Sequence, residues 1–430
     1  MLGLDFRMAI CGLPPNSFMN NATSSPSPAA EADTLVVSER MTRSEIRAGL
    51  TLASVFALRM LGLFMMLPIF VLHAKSLADG SSETLIGMAF GIFGITQACL
   101  QLPFGIASDK FGRKPVILFG LSLFVLGAII AALSTTVWGL LIGRAIQGAG
   151  AISAALTALL ADTTREEHRT KAMAMVGGSI GLSFALAMVV APLLYLSIGM
   201  SGIFWLIASM ALAAMAVVWW ITPNAPKLIA PKVPLMDVLK NTELMRLNLG
   251  VFVLHLSQVA MFMVLPSALV QNAHIPLDHH WRVYLPVMFG SFIVMVMLVM
   301  RGERAGKMKP VFVWSIALLM LVQLGFWSLL DNTYALLALL FFFFVAFNTL
   351  EASQPSLVSR LAPPAAKGAA LGVYNTLQAL GLACGGALGG WLKQHSGTNT
   401  IFIFTAVLSL IWLIIAVRMP QIARRGAVQP

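Results

Sequence analysis

Gly105-Ile-Ala-Ser-Asp109-Lys-Phe-Gly112-Arg113-Lys114-Pro115 sets four charges between two long apolar runs. Gly112 permits a backbone turn that residues with a Cβ resist. Pro115 suits the start of a helix, where a missing N–H costs nothing. The stretch reads as a tight basic hinge between two membrane helices. A plain positively charged loop is the alternative, and the rest of the chain decides between them.

The 430 residues are 58% hydrophobic and 10% charged. A soluble domain carries about 25% charged residues, so a water-exposed surface of this size cannot be covered. Apolar runs of about 20 residues recur, each enough to cross a bilayer as a helix. The net charge of +11 then reads as a topology signal, and no nucleic-acid partner is expected. Spans are expected near 48–73, 83–107, 115–134, 137–161, 171–197 and 202–222, and again near 246–271, 281–300, 310–330, 335–359, 367–392 and 398–419.

The expected fold is an all-α membrane protein of twelve transmembrane helices in two pseudo-symmetric six-helix bundles. The bundles occupy 45–222 and 246–419, joined by a cytoplasmic linker at 223–245. A disordered tail at 1–44, rich in Ser, Pro and Asn, precedes them, with Met41 an alternative start, and a short tail at 420–430 follows. Lys and Arg gather in alternate loops, as in Lys110, Arg113 and Lys114, then Arg165, Arg169 and Lys171, whereas Lys75, Arg282 and Lys393 stand nearly alone on the other side. That asymmetry places both termini in the cytoplasm.

Small residues recur every four positions at Gly177, Gly181 and Ala185, and again at Gly381, Gly385 and Gly389. The hinge has an echo in Glu303-Arg-Ala-Gly306-Lys307-Met-Lys309-Pro310. Repeated halves around a central site are a transporter architecture.

A charge at the bilayer centre costs about 2.5–3.5 kcal/mol, so intramembrane charges turn inward and mark candidate sites. Arg144 shares a helix face with Gln147 and Gly148; a structural bond to backbone carbonyls is the competing reading. Asn348, Glu351 and Gln354 form a polar stripe, with Glu351 either a proton-coupling carboxyl or half of a salt bridge to a basic loop residue. Arg59 is expected to snorkel toward the cytoplasmic interface. Gln97 with Gln101, His255 with Gln258, and Asn375 with Gln378 are spaced to line a cavity or to bond between helices. Met65, Met66, Met173, Met175, Met261 and Met263 offer a soft cavity wall or ordinary packing.

His274, His279 and His280 lie near Asp278, but no metal site is expected there. Cys11, Cys99 and Cys384 form no ligand or disulfide pattern. No phosphate-binding Gly-Lys-Ser/Thr loop occurs. No cofactor and no enzymatic activity are expected.

The hinge, with Arg144-Ala-Ile-Gln147-Gly148, resembles the loop and fourth-span motifs of the major facilitator superfamily, over about 45–420. Arg59-Met-Leu-Gly62, Thr96-Gln97, Arg169-Thr-Lys171-Ala-Met173-Ala and Phe184-Ala-Leu-Ala-Met188-Val-Val-Ala191-Pro192 look most like its YajR-type branch of proton-coupled drug antiporters. The resemblance implies a monomeric inner-membrane carrier that exchanges protons for lipophilic or amphipathic small molecules by alternating access. A metabolite or sugar symporter or uniporter on the same fold is the alternative.

The resemblance also implies roles for residues. Gly105 and Gly112 shape the loop. Asp109 caps span eleven in the outward-open state, Arg113 pairs with Asp162, Glu351 lies near this charge network, and Arg144 belongs to proton coupling, for which Glu351 and Arg59 are further candidates. Two departures stand out. Ala191-Pro192-Leu193-Leu194-Tyr195 lacks the glycines of the span-five antiporter signature, and only about ten residues follow span twelve, where the branch carries a soluble domain.

Overall fold

The computed structural model describes residues 41–223, 235–363 and 366–420. The expected tail at 1–40, most of the linker at 224–234, and 421–430 lie outside the described residues, as does Cys11. Every regular element among the described residues is helical.

The chain runs α1 (Arg43–Phe64), α2 (Phe70–Lys75), α3 (Glu83–Phe111), α4 (Arg113–Leu133), α5 (Val137–Ala149), α6 (Ser153–Asp162) and α7 (Glu166–Ala216), which ends in a π-helical turn at Val217–Ile221. It continues as α8 (Leu235–Lys240), α9 (Thr242–Phe262), α10 (Leu265–Gln271), α11 (His280–Ala305), α12 (Met308–Leu329), α13 (Thr333–Leu361), α14 (Lys367–Ser396) and α15 (Thr398–Val417).

Polar residues start these apolar helices by binding free N–H groups. Thr42 and Glu45 form a reciprocal capping box at α1. Ser82 accepts from Leu85 N at 3.2 Å, Thr136 from Gly139 N at 3.1 Å, and Asn332 from Ala335 N at 3.0 Å. Asn241 accepts from both Glu243 N and Leu244 N at 3.1 Å. The helix that starts α4 begins at Arg113, so Pro115 takes its third position, still within the turn of free donors.

Among the described residues ten segments are long and apolar enough to cross a membrane. Several expected boundaries move. The first span breaks at Met65–Ile69 into α1 and α2, and the fourth breaks at Gly150–Ile152 into α5 and α6. α7 runs 51 residues, which at about 1.5 Å per residue is more than twice a bilayer core. Gly199, at φ 66°, breaks it where a connection between spans was expected. α14 has 30 residues but falls short of the apolarity of the ten, because small and polar residues dilute it. The second linker boundary also shifts, with α8 and α9 occupying 235–262.

Glycines decide which helices touch. A Cβ on Gly87, Gly91 or Gly94 of α3 would stand 2.3, 2.4 or 2.3 Å from the carbonyl oxygens of Gly386, Ala383 and Ala379 on α14. Gly381 and Gly385 bring another face of α14 onto α9, where a Cβ would meet Phe252 O at 2.4 Å and Leu256 O at 2.5 Å; Gly389 lies over Met263. The expected packing role of Gly177 is not seen: nothing comes within 4 Å of a Cβ there, nor at Gly178, Gly368 or Gly372, and Gly181 only approaches Phe292 at 3.8 Å. Thus α3 and α14 close tightly toward the end that carries Glu83 and Lys393, and space is left at the end where α14 begins. The cavity-wall reading of Met65, Met66, Met261 and Met263 also yields, since all four are buried in the core.

Candidate functional site

The hinge between α3 and α4 turns on Gly112, whose φ of 100° lies where side-chain-bearing residues rarely go. The turn brings Arg113 back across the end of α3. Its Nε donates to Asp162 Oδ2 at 2.8 Å, and its Nη1 donates to Ser108 Oγ at 2.8 Å and to Asp109 Oδ1. Arg113 and Asp162 are largely shielded, whereas the Asp109 side chain is 66% exposed. The N-cap residue of α14, Ala366, makes no side-chain cap bond, and Asp109 is paired with Arg113. Gly105 has open space apart from Ala154 Cβ at 3.7 Å.

Arg59 does not snorkel. It is buried between α3 and α6, with Nη1 donating to Ser153 Oγ at 3.1 Å and Nη2 to Gln97 Oε1 at 3.3 Å. The Phe93 and Phe124 rings each lie 5.9 Å from its guanidinium carbon. Two hydrogen bonds and two aromatic faces replace the water that snorkelling would have supplied. Its Nε has no partner.

Arg144 is buried one layer away. Nη2 donates to Phe90 O at 3.3 Å, and the guanidinium carbon stands 5.1 Å from the Phe93 ring and 5.8 Å from Phe70. Phe93 therefore lies between two arginines. Arg144 also borders a cavity of about 30 Å³ with Phe64, Phe90, Gln258 and Leu382, so it faces the contact of α3 and α5 with α9 and α14. A drug-sized ligand needs roughly 300–1,000 Å³, so this void is a remnant of a closed seam. Gln147 is buried on the same face, and a Cβ on Gly148 would strike Phe93 O at 2.2 Å. Gln101 is buried with neither amide atom bonded.

The second cluster joins three helices. His255 of α9 meets Val251 O through Nδ1 at 3.0 Å and Gln378 Nε2 through Nε2 at 2.8 Å. With the ring proton on Nδ1, Nε2 accepts from the amide of Gln378. Gln378 of α14 also donates to Glu351 Oε1 at 3.4 Å, and Glu351 Oε2 lies 3.5 Å from His255 Nε2. Glu351 of α13 is thus paired with His255 and Gln378, and the alternative of a basic loop partner is not what the structure holds. Its side chain stays 33% exposed.

The rest of the stripe disperses: Asn348 Nδ2 donates to Ser291 Oγ at 3.0 Å, and Tyr374 Oη donates to Gln354 Oε1 at 3.4 Å. Asn375 is half-buried on α14 one turn from Gln378. Pro192 sits within α7 without breaking it; Gly199 does that. His280 is buried against Ile275 O at 3.2 Å, away from any ligand-like grouping with His279. Among the described residues no cluster suited to a metal ion occurs.

Several polar groups were missed by the sequence reading. Glu45 accepts from Arg165 N and Nε at 2.9 Å each and from Nη2 at 3.1 Å. Glu83, Lys75 and Lys393 form a three-charge group. The Thr42-to-Glu45 spacing signals the first; no local pattern signals the second, whose members come from distant parts of the chain.

A family model described as Major Facilitator Superfamily matches residues 52–383 and 247–428. The Inner membrane transport protein YajR of Escherichia coli (strain K12) is 42% identical over 388 residues, covering 89% of this chain and 85% of that one. The Tetracycline resistance protein, class H, of Pasteurella multocida is 31% identical over 136 residues, 31% of this chain and 33% of that one. Among solved structures, the human organic anion transporter MFSD10 (TETRAN) superposes with a TM-score of 0.66 at 19% identity, covering 87% of this chain and all of that one.

Proposed function

The chain belongs to the Major Facilitator Superfamily, a family of membrane transporters and not of enzymes, and from that premise we propose that it is a proton-driven exporter of lipophilic or amphipathic small molecules. Counting Lys171–Ile221 as two spans and adding α14 to the ten apolar segments gives twelve spans, in two bundles at 45–222 and 246–419. The name of the Escherichia coli relative supports an inner-membrane location, and the charge asymmetry supports cytoplasmic termini. In that orientation the α3–α14 seam is closed toward the outside and the space around Gly177 and Gly368 opens inward. The short relationship to a tetracycline resistance protein supports efflux.

The observation that carries the proton-coupled reading is the grouping of Glu351, His255 and Gln378. A carboxylate, an imidazole and an amide share bonds inside a membrane span, and the Glu351 side chain stays 33% exposed. Protonation of His255 Nε2 evicts the Gln378 donor and turns the ring toward Glu351; protonation of Glu351 removes the charge that holds the group together. Either event rearranges contacts among α9, α13 and α14, and α14 is the helix that packs on α3 across the seam. Arg144, buried in the other bundle beside Gln258 and Leu382, adds a fixed positive charge to the seam. Arg113, Asp109 and Asp162 act as the inward-side charge switch.

The test is substrate-induced proton flux in proteoliposomes, with a panel of lipophilic cations, dyes and sugars. Export of a lipophilic compound against proton entry is expected, with Glu351→Gln and Arg144→Ala each losing the flux. Unchanged flux in both variants removes these residues from coupling. Sugar uptake together with protons replaces export by symport.

A further inference from the structure

The closed end of the α3–α14 seam carries charge chemistry that the coupling residues do not use. Lys75 Nζ, at the end of α2, lies 2.6 Å from Glu83 Oε1 at the start of α3. Lys393 Nζ, near the end of α14, lies 3.4 Å from the same oxygen and donates to Met263 O at 2.9 Å, the residue that follows α9. One residue on, Gln394 Oε1 accepts from Thr84 N at 2.8 Å and from Ser82 Oγ at 3.2 Å. The side chain at the end of α14 therefore occupies a free donor, Thr84 N, in the first turn of α3. Four elements (α2, α3, α9 and α14) meet within two consecutive residues of α14.

These bonds lie at one end of the glycine-packed seam. A Cβ on Gly390 would stand 2.3 Å from Glu83 O itself. The side chains of Glu83 and Lys393 are 20% and 10% exposed, so solvent screens them less than an open surface pair. Yet they face a polar vestibule of about 470 Å³, bordered also by Asn272, Asp331 and Asn399, into which the charges can move once parted. Glu83 Oε2 is buried without a partner among the described residues, so the closed arrangement leaves one acceptor unmade that hydration would satisfy. A firm but incomplete set of bonds at the rim of a vestibule is what a reversible closure needs.

We propose that Glu83, held between Lys75 and Lys393, is the positioning residue that latches the outer end of the α3–α14 seam, and that its release permits the outward-facing state. The latch rests on the alternating-access reading above but not on what the protein carries. With Glu83 uncharged, Lys75 and Lys393 lose their shared counter-charge and repel across the seam, while the Gln394 contacts alone remain.

The test uses the full-length chain with its three cysteines replaced and spin labels on cysteines introduced at the exposed positions Ser81 and Ser396. Distance distributions in nanodiscs then report the seam without any substrate or proton gradient, so a wrong assignment of cargo or coupling leaves the measurement intact. The unaltered latch is expected to give mainly the short distance. Glu83→Gln is expected to raise the long-distance fraction by about fivefold or more, a factor in keeping with the loss of a modest interaction, and Glu83→Asp to restore most of the short distance. If Glu83→Gln fails to fold, Lys393→Gln removes the other half of the contact and is expected to shift the distribution the same way. A distribution unchanged in a well-folded Glu83→Gln or Lys393→Gln overturns the latch, as does a shift that Glu83→Asp reproduces in full.

Discussion

Arg360 Nη2, at the end of α13, lies 2.6 Å from Glu303 Oε1 at the end of α11, the counterpart, with signs exchanged, of Arg113 meeting Asp162 at the end of α6. In both places a helix-end residue within three positions of a positive-φ glycine, Gly112 or Gly306, reaches the last turn of a helix two elements on. The environments differ. Arg113 and Asp162 are 14% and 17% exposed, whereas Arg360 and Glu303 are 21% and 37% exposed. Asp162→Asn is therefore expected to lower unfolding stability in detergent by ~1–3 kcal/mol, the range for a charged hydrogen bond broken in a shielded place. Glu303→Gln is expected to stay within ~1 kcal/mol. Thermal or denaturant unfolding of the two variants side by side checks the order, and equal losses would show that shielding does not set it.

The seam between α3 and α14 predicts an inversion of ordinary helix propensity. Exchanging a helical glycine for alanine normally stabilises by up to about 1 kcal/mol. At Gly87 the added Cβ would press on Gly386 O at 2.3 Å and on Gly390 Cα at 2.8 Å, both backbone atoms that cannot rotate away. Gly87→Ala is expected to part the seam and speed hydrogen exchange at amides 383–390, while Gly178→Ala, with nothing within 4 Å, leaves exchange there unaltered. Equal protection in both variants would mean that the contact yields without cost.

At the hinge, backbone conformation and space can be separated. Gly112 has φ 100° but its nearest neighbour to a Cβ is Pro115 Cδ at 3.7 Å, and Gly105 is helical with Ala154 Cβ also at 3.7 Å. Both sites have room; only the first has a conformation that alanine resists. Gly112→Ala is expected to cost about 1–3 kcal/mol of stability and to weaken the Arg113 contacts, whereas Gly105→Ala is expected to be neutral or slightly stabilising. Melting temperatures of the two variants decide it, and a harmless Gly112→Ala would mean that the turn relaxes to negative φ.

The helical architecture was legible because hydrocarbon imposes length and apolarity on each span separately. The hinge was legible for a related reason: Gly112, Arg113 and Asp109 lie within one turn, so their chemistry is local. What sequence left open depends on groups brought together from distant helices. Whether Arg59 reaches for the interface or stays inside turns on Ser153 and Gln97 offering acceptors and on Phe93 and Phe124 offering ring faces; none is adjacent to it in the chain. Glu351 was picked out by its position in an apolar run, but its partner His255 had been grouped only with Gln258. Gly177 was grouped with the packing glycines by spacing alone, and spacing does not say whether another helix occupies the groove.

Asp79 ties pH to the start of α5. Its Oδ1 accepts from Val137 N at 2.7 Å and its Oδ2 from Trp138 N at 3.2 Å, while Thr136 serves the next donor, Gly139 N. Burial raises the Asp79 carboxyl, but the backbone N–H bonds from Val137 and Trp138 outweigh it and hold the group below its ordinary value. A carboxyl lowered by folding contributes stability that is present above its unfolded value, near pH 4, and lost as pH falls through the lower folded value. Asp79→Ala is expected to cost ~0.5–2 kcal/mol at neutral pH, as for other lost helix caps. The difference in melting temperature between the two proteins is expected to be constant from pH 8 to about pH 5 and to shrink below about pH 4. A difference that grows on acidification would mean that the carboxyl caps α5 in its protonated form, the reverse of the geometry around Val137.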